Sequence, residues 1–213
     1  MAETLYIIGA GGHGKVCADT AKATGHYNHI AFLDSQRDIG DAIGEWEVVG
    51  RPESFADFAD THSVFFVAIG DNRARRQWLQ RLTGEQVGIA TLVHPTSIIA
   101  EHVHIGAGTL VVAGSIINGF TQIGQGCIIN TATSIDHDCS IGDYVHIAPG
   151  CHLAGTVTVG EEAFVGIGSA VIPNISIGSH SIIGAGSAVT SNIDGNVVAV
   201  GSPARPIRPH HRE

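Results

Sequence analysis

The segment from Ile123 to His152 reads as five hexads: IGQGCI, INTATS, IDHDCS, IGDYVH and IAPGCH. The same period of six extends in both directions, from Ile99 to Asp194, without an insertion. The first position is aliphatic in all sixteen hexads: Ile99, Ile105, Val111, Ile117, Ile123, Ile129, Ile135, Ile141, Ile147, Leu153, Val159, Val165, Val171, Ile177, Ile183 and Val189. The fifth position is small or β-branched throughout. This pattern predicts a hexapeptide solenoid.

A triangular prism explains the period. Each hexad forms one flat β side, with its first residue pointing inward and its small fifth residue filling the space that remains. Glycine, asparagine or aspartate nearby supports the turn at the corner. Three hexads then close one coil of eighteen residues, so residues eighteen apart stack at the β spacing of about 4.8 Å.

Composition and charge narrow the class of protein. The 213 residues allow one large domain or two small ones, and the net charge of −9 disfavours nucleic acid as a partner. No stretch approaches the roughly 18 apolar residues of a membrane span. The amino terminus, MAETLYIIGAGG, lacks the pattern of a signal peptide. These features predict a cytoplasmic protein.

Three of the four cysteines, Cys127, Cys139 and Cys151, occupy fifth positions of the solenoid. Their spacing of twelve places them on different sides of the prism, so stacking does not pair them. We expect small buried hydrophobes in a reducing compartment.

A strand, turn, helix and strand precede the solenoid. Residues 4–8 predict a buried strand, and the turn from Gly9 to Lys15 leads into an amphipathic helix that ends near Thr24. A second strand, residues 30–33, ends at Asp34. Gly9, Gly11 and Gly14, with an acid about twenty residues later, fit the dinucleotide fingerprint, in which backbone amides approach a diphosphate.

The rest of this region predicts a third strand at 63–69, a helix at 71–82 and a closing strand at 89–92. That is enough for half of a dinucleotide fold, which favours one nucleotide or nucleotide-sugar; intact NAD and a purely structural turn remain alternatives. His94-Pro95 marks a linker. We therefore predict a small α/β, half-Rossmann-like domain with a parallel sheet over residues 1–92, then a β-helix domain over 93–213. Residues 197–200 predict a last strand, followed by a basic tail that frays over 210–213.

A polar cluster interrupts the outer face of the solenoid: Asn130, Asp136, His137, Asp138 and His146. Eighteen residues beyond His137 lies Gly155, which should stack one coil above it. A base beneath an accessible N–H is what acyl transfer requires, since one removes a proton and the other stabilises an oxyanion.

Two other interpretations of the histidines remain open. His137 could be an ordinary surface histidine, and the thirteen histidines could include a zinc site. His102 and His104 alternate along one strand, but no matching carboxylate or thiolate set accompanies them. We expect no metal.

Four segments resemble the sialic acid O-acetyltransferase (NeuD) family of bacterial sugar acetyltransferases, and most closely its PglD-like UDP-4-amino-4,6-dideoxy-sugar N-acetyltransferases. They are residues 8–15 (IGAGGHGK), 67–72 (VAIGDN), 135–142 (IDHDCSIG) and 201–205 (GSPAR). The resemblance covers nearly the whole chain. It implies a left-handed β-helix, acetyl-CoA as co-substrate, a UDP-amino-sugar acceptor and a homotrimer with active sites between neighbouring prisms.

The same resemblance implies roles for individual residues. His137 would be the general base, Asp138 its acidic partner where relatives carry Glu, Asn130 a polar active-site residue and Gly155 the oxyanion donor. Acetyl-CoA contacts would be His146, Gly155, Ile167 and Ala185. UDP-sugar contacts would be Gly11, Gly12, His13, Asp34, Ser35 and Gly70.

The reaction expected from this resemblance is direct acetyl transfer from acetyl-CoA to a sugar amine. An alternative keeps the fold and changes the acceptor to a hydroxyl of sialic acid or a related sugar. Another alternative is a non-catalytic, nucleotide-binding scaffold; the stacking of His137 and Gly155 argues against it.

Overall fold

The computed structural model describes residues 4–210 and divides the chain into two compact units between Pro95 and Thr96. The sequence prediction placed this boundary after residue 92. Within residues 4–210, no helix combines the length and apolar character that crossing a membrane requires.

The first unit is an α/β layer built on a five-stranded sheet. Its strands are β1 (Thr4–Ile8), β2 (His29–Leu33), β3 (Ala42–Ile43), β4 (Trp46–Gly50) and β5 (Ser63–Val67), in the spatial order β3-β4-β2-β1-β5. Helices α1 (Gly12–Thr24) and α2 (Asn72–Gly84), a 3₁₀ segment (Pro52–Phe58) and the short strand β6 (Leu92–Val93) complete the unit. Strand β1 pairs in parallel with both β2 and β5, so the carboxyl ends of these three strands share one edge.

The structure differs from the sequence prediction in two places in this unit. Strands β3 and β4 form an antiparallel hairpin that was not predicted, with Gly44 in the left-handed region at φ 66°. The predicted closing strand at 89–92 is reduced to a single parallel bridge between Ile89 and Phe65. Strand pairing resumes later, at β6, because a four-residue apolar run does not by itself specify its partner.

The second unit is a left-handed parallel β-helix with three faces of two-residue strands. Face A contains β7 (Ile98–Ile99), β10 (Ile116–Ile117), β13 (Ser134–Ile135), β16 (His152–Leu153), β19 (Ala170–Val171) and β22 (Ala188–Val189). Face B contains β8 (His104–Ile105), β11 (Gln122–Ile123), β14 (Ser140–Ile141), β17 (Thr158–Val159) and β20 (Ser176–Ile177). Face C contains β9 (Leu110–Val111), β12 (Ile128–Ile129), β15 (His146–Ile147), β18 (Phe164–Val165) and β21 (Ile182–Ile183).

Successive coils pair in the predicted register of eighteen residues, as in Ile117 with Ile135 and Ile123 with Ile141. From Val111 to Val189, the fourteen first-position side chains are each at most 3% exposed. Each buried aliphatic side chain contributes about 1.5–3 kcal/mol. The predicted inward stack is confirmed.

The fourth positions of the hexads share a left-handed backbone conformation that their residue types do not predict. From His102 to Gly186, all fifteen fourth positions have positive φ, although only six are glycine. The corner itself imposes this conformation, and side chains such as Asp138 and Phe120 adopt it at a steric cost.

Polar side chains at fifth positions donate hydrogen bonds to backbone carbonyl oxygens of the next coil. The hydroxyl of Thr109 donates to the Gly124 carbonyl oxygen at 2.9 Å. The thiols of Cys127 and Cys151 donate in the same way to Gly142 and Gly166, each at 3.1 Å. Cys127, Cys139 and Cys151 are buried and free, as predicted, and Cys17 of the first unit is buried and free as well.

The solenoid ends in an antiparallel hairpin of β23 (Val197–Gly201) and β24 (Ala204–Pro209), with β23 paired in parallel to β21. The last strand was predicted, but β24 was missed because its prolines are tolerated only at a sheet edge. His210 is not frayed, since its N–H donates to the Asn196 carbonyl oxygen at 2.7 Å. The rest of the predicted frayed tail, 211–213, lies outside the described residues.

A ladder of glycines lets the coils approach at the corner between faces B and C. An added Cβ on any of them would lie under 3.0 Å from backbone of the next coil: Gly106, Gly124, Gly142, Gly160 and Gly178. At Gly142 the Cβ would lie 2.8 Å from the Glu161 nitrogen. Backbone of a stacked coil cannot move aside locally.

We predict that Gly142→Ala destabilises the protein by about 1–3 kcal/mol through this overpacking. Thermal and urea unfolding would measure the loss. Gly84→Ala is the matched control, because nothing lies within 4 Å of a Cβ added there. Equal stability of the two variants would contradict the close-stacking explanation.

Candidate active site

His137 lies at the corner where face A turns into face B, directly after β13. Its side chain is 58% exposed, and Nδ1 lies 2.7 Å from Asp138 Oδ2. The Asp138 backbone is left-handed at φ 58°, as at the other fourth positions from His102 to Gly186. This backbone conformation at the corner brings the short Asp138 side chain to the imidazole of His137, the preceding residue.

The surroundings of His137 are acidic and ordered. Its N–H donates to Asp136 Oδ1 at 2.9 Å, and Asn118 Nδ2 donates to the same oxygen at 2.8 Å. The hydrogen bond to Asp138 raises the pKa of His137 above its ordinary value, and the charges of Asp136 and Asp138 act in the same direction. Because Nδ1 contacts the carboxylate, we assign the proton to Nδ1, which leaves Nε2 as a base.

Gly155 packs against the His137 ring from the next coil. A Cβ on Gly155 would lie 2.6 Å from His137 Cε1 and 2.7 Å from Nε2, so any larger residue would displace the ring from this position. Thr156 N–H donates to the His137 carbonyl oxygen at 2.9 Å and ties the two coils together. The Gly155 N–H donates to no protein acceptor among residues 4–210. A buried N–H needs an acceptor, so this donor suits an incoming oxygen.

A second polar cluster lies at the corner where face C turns into face A. Asn130 Nδ2 lies 3.1 Å from His146 Nε2, and Asn130 Oδ1 accepts from the Thr131 N–H at 2.8 Å. His146 meets Phe164, one coil further along face C, edge to face at 5.1 Å. The pair of Asn130 and His146 is thus held on both sides.

The same corner continues into a smooth apolar strip. Ile167 is 56% exposed, and Ala185 follows it one coil later. Beside them run three glycines that each have positive φ and nothing within 4 Å of a Cβ: Gly150, Gly168 and Gly186. The open space beside these glycines leaves the apolar strip accessible from solvent.

The chain does not bring its two polar clusters together. His137 and Gly155 lie at the corner between faces A and B, whereas Asn130, His146 and Ile167 lie at or beside the corner between faces C and A. Face A, with strand β13, separates the two groups. One prism therefore carries two halves of the candidate active site on different corners.

None of the cysteines is suited to covalent catalysis. Burial raises the pKa of the Cys139 and Cys151 thiols, and it also raises that of Cys17. A protonated and enclosed thiol is a poor nucleophile.

The glycine turn of the first unit joins β1 to α1. An added Cβ at Gly14 would collide with the Gly9 carbonyl oxygen, so the helix starts close against the turn. Gly11 and Gly12 are exposed with open space around them, and Gly11 caps α1 without a side-chain hydrogen bond. This helix start therefore offers backbone N–H groups to an anion.

Asp34 organises the turn from the end of β2. The residue is buried, with 8% of its surface exposed. Its carboxylate accepts hydrogen bonds from the backbone N–H groups of Ala10, Gln36 and Arg37 at 2.6, 2.7 and 3.0 Å. Burial opposes its ionisation, but these donors outweigh burial and hold the pKa of Asp34 below its ordinary value. Both oxygens thus already serve the protein, which the prediction of a sugar-nucleotide contact did not anticipate.

A cleft of about 420 Å³ lies beside Asp34; its lining residues are Gly11, Asp34, Gln36, Arg37, Asp38 and Asp41. Ser35 is exposed next to this cleft in sequence but does not line it. Gly70 is exposed at the carboxyl end of β5, and His13 is half-buried in the first turn of α1. Burial lowers the pKa of His13 to about 4, with help from the charge of Arg75.

Two arginines at this edge were missed by the sequence analysis. Arg51 donates to the carbonyl oxygens of Asp34 and Arg37, and Arg75 is buried behind Gly70. Arg75 had a recognisable signal, since it shares the apolar stripe of α2 with Leu79 and Leu82.

Among residues 4–210, one group of side chains has the spacing to hold a metal ion. Glu161, Glu162 and His180 offer ligand atoms that all lie within 4.8 Å of one another, near the corner between faces B and C. His180 Nε2 lies 3.5 Å from Glu161 Oε1, the spacing of an ion pair when the imidazole is protonated. This group lies away from the His137 corner.

Comparison with protein-family models identifies both units. Residues 4–82 match the PglD N-terminal domain, and residues 120–155 match the bacterial transferase hexapeptide of six repeats. The UDP-N-acetylbacillosamine N-acetyltransferase of Bacillus subtilis (strain 168) is 41% identical over 101 residues. That match spans about half of each protein, 46% of this chain and 46% of the relative.

Solved structures match over nearly the full length. The acetyltransferase domain of PglB from Neisseria gonorrhoeae FA1090, solved alone and with acetyl coenzyme A, is 34% identical with a TM-score of 0.93. In the structure solved alone, the match covers 96% of this chain and 100% of that domain. PerB from Caulobacter crescentus, in complex with CoA and GDP-perosamine, is 37% identical with a TM-score of 0.86, covering 97% of this chain and 98% of PerB.

The His137–Asp138 contact predicts a measurable titration. In ¹⁵N-imidazole NMR of the free protein, we expect the His137 midpoint to lie above that of an ordinary histidine, because the carboxylate stabilises the imidazolium. Asp138→Asn should move the midpoint to lower pH. The more distant carboxylate variant Asp143→Asn is the control and should leave it in place. An unchanged midpoint in Asp138→Asn would contradict the contact.

Proposed function

The chain belongs to the PglD-like family of sugar N-acetyltransferases, and on that basis we propose that it acetylates the amino group of a UDP-linked 4-amino-4,6-dideoxy sugar. It is an acetyltransferase of the hexapeptide-repeat type. The relatives' names and complexes support acetyl-CoA as the donor and a nucleotide-linked amino sugar as the acceptor. They also favour N-acetylation over O-acetylation and over a non-catalytic scaffold.

The observation that carries the proposal is the packing of His137 between Asp138 and Gly155. A base with a raised pKa and a backbone N–H donor lie on adjacent coils, at the same corner of the stack. Acyl transfer from a thioester needs these two groups close together.

In the proposed reaction, the sugar amine attacks the thioester carbonyl carbon while His137 Nε2 accepts a proton from the amine nitrogen. A C–N bond forms, the negative charge on the carbonyl oxygen is stabilised by the Gly155 N–H, and the C–S bond then breaks. CoA leaves as a thiolate that is protonated afterwards. Asp138 stabilises the imidazolium through Nδ1. No covalent enzyme intermediate is required, which fits the buried cysteines.

In the first unit, the glycine turn and the start of α1 would hold the diphosphate of the acceptor. Gly11, Gly12, His13, Ser35 and Gly70 supply the exposed or half-buried positions at that edge. The acceptor's base is proposed as uracil. The curated relative is named for a UDP-sugar, whereas PerB was solved with GDP-perosamine.

We propose further that the protein is a homotrimer with its active sites between subunits. The two polar clusters of one prism lie at different corners, so a neighbouring copy would supply Asn130, His146 and the Ile167–Ala185 strip to each His137. The four reduced cysteines fit a cytoplasmic location, where acetyl-CoA and nucleotide sugars are made.

A thiol-release assay with acetyl-CoA tests the activity directly. We expect turnover with a UDP-linked 4-amino-4,6-dideoxy sugar, slower turnover with GDP-linked perosamine and none with free sialic acid. His137→Ala should lower kcat by about 10²–10⁴ because the general base is lost. Its affinity for acetyl-CoA should stay nearly unchanged.

His104→Ala is the control, an exposed histidine at the first coil on face B. It should retain wild-type turnover. Full activity of His137→Ala would overturn the assignment of the base. Acetylation of sialic acid at a comparable rate would favour the O-acetyltransferase alternative.

Subunit mixing tests the shared site. We expect His137→Ala and the double variant Asn130→Ala, His146→Ala to be inactive alone, since each breaks one half of every site. Purified mixed trimers should regain about a third of wild-type activity, because one of their three interfaces then receives two intact halves. No recovery in trimers verified to be mixed would show that each site is built from one chain.

A further inference from the structure

Arg75 is a charged residue in the core of the first unit. Its side chain is 1% exposed, on the face of α2 that also carries Leu79 and Leu82. Burying a guanidinium is costly unless its donors are engaged in well-formed hydrogen bonds. Its presence at this position therefore calls for a specific function.

The guanidinium fixes the segment between β5 and α2. Nη1 donates to the carbonyl oxygens of Ile69 and Gly70 at 3.0 and 3.1 Å, and Nη2 donates to Asn72 Oδ1 at 2.7 Å. Three acceptors in four consecutive residues are held by one planar group. A lysine at this position could keep the charge but could not reproduce the fork.

The segment that Arg75 holds lies against the glycine turn. A Cβ added to Gly9 would meet the Ala68 carbonyl oxygen at 3.0 Å and Ile69 Cγ1 at 3.7 Å. Gly9 itself has φ 104° and donates its N–H to the Leu33 carbonyl oxygen at 2.9 Å. Displacement of residues 68–70 would therefore disturb the turn proposed to receive the diphosphate.

The charge of Arg75 also reaches His13. Burial is the main cause that lowers the His13 pKa to about 4, and Arg75 adds to it from α2. Cys17, one turn later on α1, stays protonated because burial raises its pKa, and Asp34 directs its carboxylate to Ala10 and its own loop. His13 is consequently a neutral imidazole at physiological pH, able both to donate and to accept a hydrogen bond.

We propose that Arg75 is a positioning residue of the nucleotide site, holding the Ile69–Gly70 segment against the glycine turn and placing its positive charge near His13. This inference rests on the proposed function, which assigns the turn, His13 and Gly70 to a nucleoside diphosphate. Arg75 acts through these groups from behind them. Its loss should weaken nucleotide binding and leave acetyl-CoA binding unaffected.

Calorimetry with UDP and ¹⁵N-imidazole NMR test the two roles in the full-length protein. In Arg75→Gln, we expect the UDP Kd and the sugar-nucleotide KM to rise at least about tenfold, as for a lost charged hydrogen-bond network. The KM for acetyl-CoA should stay within about twofold. The His13 midpoint should move to higher pH in Arg75→Gln but not in Arg75→Lys, which retains the charge and should still weaken UDP binding.

Arg81→Gln is the matched control, because this arginine of α2 stacks outside the site on Trp78 and Phe55. A folded Arg75→Gln protein with unchanged UDP affinity, or with an unmoved His13 midpoint, would overturn the proposal. If Arg75→Gln does not fold, Arg75→Lys provides the test. Wild-type UDP affinity in Arg75→Lys would overturn the proposal. Failure of the wild type to bind either UDP or GDP would instead contradict the proposed function, while the His13 titration would still test Arg75.

Discussion

Each coil of the solenoid hydrogen-bonds to the next through bonds such as Ile116 N–H to the Thr133 carbonyl oxygen, at 2.8 Å. Repeated along three faces, these bonds fix a register of eighteen residues. The register requires a sharp corner at every sixth residue, and each corner from His102 to Gly186 places one residue in the left-handed region. It also requires glycine wherever adjacent coils touch backbone to backbone, as at Gly142. A slip of one residue would turn the aliphatic stack outward.

The candidate chemistry uses the same register. Because the corner turns Asp138 into the left-handed region, its short carboxylate reaches His137 Nδ1 at 2.7 Å. Because coils repeat every eighteen residues, Gly155 lies against the ring of His137. His137 and Gly155 are therefore positioned by stacked coils and not by a long loop. Rigid placement of both groups reduces the reorganisation that a reaction would otherwise require.

The sequence predicted these features to different extents, for physical reasons. A period of six specifies the inward stack and the pairing of His137 with Gly155, because both follow from counting. It does not reveal positive φ at residues such as Phe120, since the corner overrides residue preference. The hairpin of β3 and β4 was not predicted, because strands this short show too little alternation of apolar and polar residues. Arg75 was not predicted, because its guanidinium binds backbone carbonyl oxygens that no sequence pattern marks. Its place in an apolar helical stripe was the one available signal.

The central claim is that His137 Nε2 receives the proton of the acceptor amine beside Gly155. A crystal structure with CoA and a nucleotide-linked amino sugar tests it most directly. The account predicts the amine nitrogen within about 3.2 Å of Nε2, with the CoA sulfur near the Gly155 N–H. It also predicts that CoA runs along the Ile167–Ala185 strip. An amine bound elsewhere, with His137 facing only solvent, would contradict it.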